Sequence, residues 1–426
     1  TSSPVPASST QIETGDHRDH RSPISILLLQ IFVIIVIARL FGALFRRIRQ
    51  PPVMGEMVAG ITLGPSVLQL ISPDAFAYLF PVSSMVTLGV LSQLGVVLFM
   101  FVVGMELDVQ HLREKAATAI MVSHVSIVVP FLLGAGLAYM LYPSLGTSNN
   151  SFTPFALFMG IAMSITAFPV LARILKDRDL AQTPLGTMAL ACASIDDVTA
   201  WCLLAVVVAV VKAAGLVSAI WTIASTLLFL VLMLILVRPR LWKILNGVSL
   251  KKHSQITIAA ILAFVLACAW LTETIGIHAL FGGFLAGVVM PATPGVQDFL
   301  KERIEGFSSA ALLPLFFVFT GLRTQVTLLN DWTSLLLCLL IVGVAVLGKL
   351  GGSMTMARWT RMTWRDSFAI GSLMNTRGLV ELVVLNIGYD LGILSARIFV
   401  MMVIMALATT FMTAPLLSLV KMGKAR

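Results

Sequence analysis

Two carboxylates, Asp196 and Asp197, stand side by side in Ala193-Ser-Ile-Asp-Asp-Val-Thr-Ala-Trp201, with apolar sequence on both sides. Adjacent carboxylates in a low dielectric do not both stay ionised unless protons or a cation neutralise them. The pair therefore has the chemistry of a site where protons and a monovalent metal cation compete for the same oxygens. Lys349 lies in an equally apolar stretch, Val346-Leu-Gly-Lys-Leu-Gly-Gly352. It either snorkels to an interface or forms an ion pair with one of the aspartates and exchanges protons with it.

Two other stretches read as interrupted helices. In Ser164-Ile-Thr-Ala-Phe-Pro169, Pro169 removes a backbone hydrogen bond and frees carbonyls, with Thr166 beside it. Asn375-Thr-Arg-Gly378 forms the second break, with Asn375 and Thr376 as candidate ion-site residues. Arg377 and Glu381, four apart, can pair on one helix face as charge compensation for that break. Glu56 reads as a cap or an interface pair. His124 and His278 read as satisfied core histidines, with pH sensing as the alternative.

The elements that must position these residues are membrane helices. Of 426 residues, 58% are hydrophobic and 12% charged, with a mean hydropathy of +0.97. A soluble domain of that size needs more charge to cover its surface. A bilayer crossing takes about 20 mainly apolar residues. Apolar runs near 24–45, 53–71, 84–105, 118–142, 153–175, 187–211, 216–237, 254–272, 276–291, 307–322, 333–357, 366–388 and 396–420 predict an all-α membrane protein of about 13 transmembrane helices. Counted from the cytoplasmic ends of their helices at ~1.5 Å per residue, the aspartates lie ~15 Å deep, Lys349 ~12 Å and Asn375–Gly378 ~15 Å. One depth gathers all the candidates, and charge at that depth marks function by default.

Placing the N-terminus outside and the C-terminus in the cytoplasm puts 21 of the 29 Lys and Arg in inside loops. The net charge of +9 is thereby explained by topology, and nucleic acid is not an expected partner. Cys192, Cys202, Cys268 and Cys338 have no metal-ligand spacing and read as inert core thiols. Residues 1–22 read as a disordered polar tail and 423–426 as a cytoplasmic end, so no soluble regulatory domain is expected within these residues.

An internal repeat is visible. Gly55-Glu-Met-Val-Ala-Gly60 followed by Pro65 is echoed by Gly282-Gly-Phe-Leu-Ala-Gly287 followed by Pro291. Leu98-Phe99 with Gly104 is echoed by Leu315-Phe316 with Gly321. Helices two and three thus match nine and ten, which predicts two inverted repeats of six helices separated by the seventh.

Several of these motifs, in order, resemble the monovalent cation/proton antiporter-2 family. They are Pro51-Pro-Val-Met-Gly-Glu-Met-Val-Ala-Gly-Ile-Thr-Leu-Gly-Pro65, Phe101-Val-Val-Gly-Met-Glu-Leu-Asp108, Thr166-Ala-Phe-Pro-Val-Leu-Ala-Arg173, Asp196-Asp197, Leu313-Pro-Leu-Phe-Phe-Val318 with Gly321-Leu-Arg323, and Asn375-Thr-Arg-Gly-Leu-Val-Glu381. Paired aspartates resemble the electrogenic bacterial sodium/proton antiporters, whereas potassium-efflux and plant relatives usually carry Gln-Asp or Asn-Asp there. The resemblance implies sodium/proton exchange, with potassium or lithium as alternative ions, in a sodium/proton antiporter-like fold with two discontinuous crossing helices. It implies no cofactor, no enzymatic activity and a homodimer in the lipid bilayer of the cell membrane. It also implies a transmembrane domain over 23–422. Core helices at about 118–211 and 333–420 would move like an elevator against a dimerisation scaffold at about 24–105 and 254–322, with a linker helix at about 216–237. Asp197 would be the main carrier and Asp196 the partner of Lys349. A cation channel is the other transport class, which the membrane lysine and the repeat disfavour. An intramembrane aspartyl protease would need its carboxylates on separate helices.

Overall fold

In a computed structural model the described residues, 22–48, 50–106, 116–146, 151–180, 183–212, 216–247, 254–291 and 294–420, are helical with short connections and contain no strand. The polar tail lies outside them except for Ser22, which accepts from Ser25 N at 3.3 Å and caps the first helix. Residues 423–426 and the loop cations Arg113, Lys115, Lys251 and Lys252 also lie outside them.

The first half of the chain forms α1 (Pro23–Arg47), α2 (Pro52–Leu63), α3 (Val82–Glu106), α4 (Ala116–Leu145), the interrupted α5a (Phe152–Ser164) and α5b (Phe168–Asp177), and α6 (Pro184–Lys212). Helix α7 spans 216–247 through a π-helical turn at Leu232–Val237. The second half forms α8 (Ser254–Ile275), α9 (Ala279–Val288), α10 over 294–322, and α11 over 332–359 with a π-helical turn at Leu347–Gly351. It ends with the interrupted α12a (Trp364–Met374) and α12b (Leu379–Asp390), then α13 (Ala396–Leu419). Among the described residues ten helices are long and apolar enough to cross a membrane. The segments at 152–177, 279–288 and 364–390, which sequence also reads as crossings, are short or interrupted.

The outward face of α1 shows what kind of solvent surrounds the bundle. Ile24, Leu28, Phe32, Val36, Leu40 and Leu44 recur every four residues and are all exposed, while Ile34 and Ala38 on the opposite face are buried. A continuous apolar exterior of this kind fits hydrocarbon and not water.

Glycines let two helix pairs approach closely. A Cβ on Gly60 of α2 would strike Val318 O and Gly321 Cα of α10, and one on Gly321 would strike Met57 O and Gly60. A Cβ on Gly104 of α3 would strike Phe284 O and Gly287 Cα of α9, and one on Gly287 would strike Phe101 O and Gly104. Exchanging α2 for α9 and α3 for α10, as the sequence echo pairs them, carries the first crossing onto the second. Small residues at such contacts supply the close packing that replaces the hydrophobic drive in lipid. Gly60→Val is therefore expected to destabilise the bundle by ~1–3 kcal/mol or more, read as a lower Tm in detergent. Gly136→Ala, whose added Cβ meets nothing within 4 Å, is expected to leave the Tm unchanged.

At one end of the bundle α10 and α12b are braced by polar contacts. Arg323 pairs with Asp390, donates to Asn386 Oδ1 at 2.9 Å and lies between the rings of Phe319 and Tyr389, 5.0 Å from each centroid. Asn386 Nδ2 donates to Thr320 Oγ1 at 3.0 Å. In the connection before α11, Asp331 caps the helix by accepting from Ser334 N at 2.8 Å and Ser334 Oγ at 2.7 Å. Those two donors hold its carboxyl below the usual carboxylate range. The stability this cap adds is present at neutral pH and is lost as pH falls through the lowered value.

Several residues differ from their sequence reading. Cys192, Cys268 and Cys338 are buried, but Cys202 is exposed on the outer face of α6. His124 is exposed, with its ring nitrogen 2.8 Å from Ile120 O one turn back, because α4 presents that face outward. His278 is the cap of α9 and accepts from Leu280 N at 3.5 Å. Glu56, read as a cap or an interface pair, is a buried residue of α2.

Candidate functional site

The two interrupted helices meet at their breaks. Helix α5 opens at 165–167 and α12 at 375–378, and Ala167 N donates to Thr376 O at 3.0 Å. Thr166 Oγ1 lies 3.1 Å from Met374 O. Thr410 of α13 steadies the second break, because its hydroxyl accepts from Arg377 N at 2.9 Å and donates to Arg377 O at 2.8 Å. The break in α5 falls before Pro169, which stands at the second position of α5b. A first-turn N–H has no helical acceptor, so proline fits there as a starter of the second half and not as the breaker the sequence suggested.

The carbonyls freed at the end of α5a are already occupied. Arg377 Nη1 donates to Ala162 O at 2.6 Å and Nη2 to Met163 O at 2.7 Å. Lys349 Nζ donates to Ser164 O. A half-helix ends in unpaired carbonyls and partial negative charge, which cations stabilise. Two resident cations thus cap these carbonyls. Arg377 also lies 3.4 Å from Glu381, the expected pair, yet neither Glu381 oxygen has a hydrogen-bond partner among the described residues.

The two aspartates, neighbours on α6 and both fully buried, occupy opposite situations. Asp196 is saturated. Its Oδ1 accepts from Ser123 Oγ, and its Oδ2 accepts from Ser126 Oγ at 3.0 Å, Thr166 Oγ1 at 2.8 Å and Lys349 Nζ at 2.8 Å. Asp197 has no hydrogen-bond partner for either oxygen among the described residues. A bare buried carboxylate is costly, so it must take a proton or a cation.

Of the other expected ion-site residues, Asn375 is buried with Nδ2 3.5 Å from Thr409 O and its Oδ1 unpartnered among the described residues. Thr376 Oγ1 shares a hydrogen bond of 3.2 Å with Thr413 Oγ1. The structure therefore brings Thr166, Asp196 and Lys349 into one network, with Asp197 beside it. Sequence reasoning missed Ser123 and Ser126. Their three-residue spacing puts both hydroxyls on one face of α4, but serine is common in membrane helices and carries no signal alone.

The family model for the transmembrane sodium/hydrogen exchanger matches residues 32–419. The chain is 46% identical over 393 residues to the Na(+)/H(+) antiporter NhaS4 of Synechocystis sp., covering 92% of this chain and 96% of that protein. It is 39% identical over 425 residues to Cation/H(+) antiporter 17 of Arabidopsis thaliana, covering 99% of this chain and 51% of the plant protein. It is 34% identical over 416 residues to K(+)/H(+) antiporter 1 of Saccharomyces cerevisiae, covering 95% and 47%. The chain thus spans about half the length of the plant and yeast relatives. The sodium proton antiporter MjNhaP1 from Methanocaldococcus jannaschii shares the fold, with a TM-score of 0.67 at 12% identity over 93% of this chain and 97% of that one.

Proposed function

Because the chain belongs to the transmembrane sodium/hydrogen exchanger family, whose members are transporters and not enzymes, we propose that it exchanges sodium for protons at Asp197. The observation that supports this reading is the contrast on α6. Asp196 has its full set of donors and an ammonium counter-charge, whereas Asp197 is buried with two unpartnered oxygens among the described residues. One carboxylate that must be neutralised, and can take either a proton or a cation but not both, makes the two fluxes obligatorily opposed. No cofactor is needed. Asn375 and Thr376, at the break of α12, are the polar groups proposed to complete the ion's path.

Elevator motion is the proposed mechanism. Helices α4–α6 and α11–α13, which carry the network, form the proposed core, and α1–α3 with α8–α10 the scaffold against which it rises and falls. The chain makes thirteen crossings of the cell membrane with its N-terminus outside and C-terminus in the cytoplasm, and it works as a homodimer. Potassium is the second reading, since one relative is named for K(+)/H(+) exchange.

Reconstitution in liposomes containing a pH dye tests the function, with Na⁺, Li⁺ and K⁺ supplied in turn. Proton movement driven by sodium is the expected result, and proton movement driven only by potassium would select the second reading. Cation conductance uncoupled from protons would make the chain a channel. A shared site also fixes the pH dependence of binding. When one proton competes with one cation, the apparent Kd for sodium rises about tenfold for each unit of acidification. Calorimetric titration across pH measures this, and a pH-independent Kd contradicts a shared carboxylate.

A further inference from the structure

Helix α4 carries Pro130 in its interior. A proline has no N–H, so the carbonyl four residues earlier, that of Ser126, loses its helical donor. Lys349 Nζ donates to that carbonyl at 2.9 Å. The hydroxyl of the same serine donates to Asp196 Oδ2 at 3.0 Å. Ser126 therefore touches both halves of the buried ion pair. An ammonium has three donors, and here they go to Ser126 O, Ser164 O and Asp196 Oδ2. Gly348, next to the lysine, packs directly on Pro130, where an added Cβ would stand 3.0 Å from the proline Cα and Cβ. Proline, glycine and lysine are thus fitted to one another across α4 and α11.

We infer that Ser126 and Pro130 are positioning residues that hold the Lys349 ammonium on Asp196 and so keep this internal cation off Asp197. Asp197 is the sequence neighbour of Asp196, is equally buried and has both oxygens unpartnered among the described residues. An ammonium released from one of its three acceptors gains by turning toward that second carboxylate. There it competes with the transported ion as a tethered inhibitor. The proline supplies the acceptor that prevents this, by withholding the amide that would otherwise occupy it. The inference rests on the proposed role of Asp197 and adds to it the residues that leave Asp197 free.

Pro130→Ala restores an N–H to Ser126 O and tests the clamp. In liposomes the apparent KM for sodium is expected to rise about tenfold, the scale of one charge-assisted hydrogen bond, with little change in maximal rate. Ser126→Ala, which loses the hydroxyl arm, is expected to raise KM likewise, and Ser126→Thr, which keeps both arms, to retain the original value. Pro143→Ala makes the same backbone change at the other proline of α4, four residues after the outward-facing Tyr139, and is expected to leave KM unchanged. Melting curves in detergent establish that each variant is folded. An unchanged KM in Pro130→Ala, an equal rise in Pro143→Ala, or loss of exchange at every sodium concentration in a folded variant overturns the clamp. Absence of exchange by the unmodified chain overturns the transport reading and the clamp with it, and is seen before any substitution is made.

Discussion

Replacing Asp197 by Asn is expected to reduce exchange to the level of empty liposomes while leaving the protein folded. The side chain keeps its shape and loses only the ability to alternate between proton and cation. Its partners are not disturbed, because neither oxygen has a hydrogen-bond partner among the described residues. A buried ionised carboxylate without partners costs far more free energy than a neutral amide, so the Tm of Asp197→Asn should equal or exceed that of the parent. Stability and transport are thus predicted to move in opposite directions or independently, which a merely structural aspartate would not do. Sodium-driven proton movement in a folded Asp197→Asn protein would remove this residue from the mechanism. Asp196→Asn is expected to behave differently. It strips Lys349 of its counter-charge while leaving the proposed carrier, Asp197, intact, so its first effect is on the Tm.

The parts of this site that were legible in the sequence are those where chemistry conflicts with the surrounding hydrocarbon. Asp196, Asp197 and Lys349 stand out because a charge at membrane depth is too costly to persist without a role. Asn375-Thr-Arg-Gly378 was readable because polar residues and glycine interrupt an apolar run, and the observed break between α12a and α12b falls on these four residues. The break in α5 was located by its proline, two residues past its far edge, because proline marks where a helix cannot continue and equally where one begins. The hydroxyls of Ser123 and Ser126 were illegible on different grounds. Nothing in a serine's neighbours says whether it turns back to its own helix or reaches another one.

The fate of Arg377 shows the same limit. Spacing relates it to Glu381, and that contact exists at 3.4 Å. Its shorter contacts, however, are with Ala162 O and Met163 O across the junction of the two breaks. Helical periodicity describes neighbours on one helix and is silent about the end of another. With Lys349 on Ser164 O, three successive carbonyls of α5a are neutralised by two cations. The end of this broken helix then has its counter-charges without a transported ion, which on the proposed reading is bound at Asp197.

Lys349→Gln is expected to cost stability on the scale of an opened buried ion pair. The substitution leaves Asp196 with the hydroxyls of Ser123, Ser126 and Thr166 but no counter-charge. Removing one partner of a buried pair costs ~3–5 kcal/mol, because the remaining charge stays desolvated. Adding Asp196→Asn to Lys349→Gln removes that orphaned charge, so the double variant should recover most of the loss in Tm, and the difference measures the coupling. The same variants report on charge movement. If Lys349 releases its proton when the carrier takes sodium, more than one proton moves per cation and transport is electrogenic, driven by ~2.3 kcal/mol per net charge per 100 mV. Currents recorded on a solid-supported membrane after a sodium jump should then be present in the unmodified protein. They should be lost in the double variant, even where sodium-driven proton movement persists. Exchange without net charge transfer in the unmodified protein would show that the lysine keeps its proton throughout the cycle. An unchanged charge per cycle in the double variant would show that the pair serves only to hold α4, α5, α6 and α11 together around Asp197.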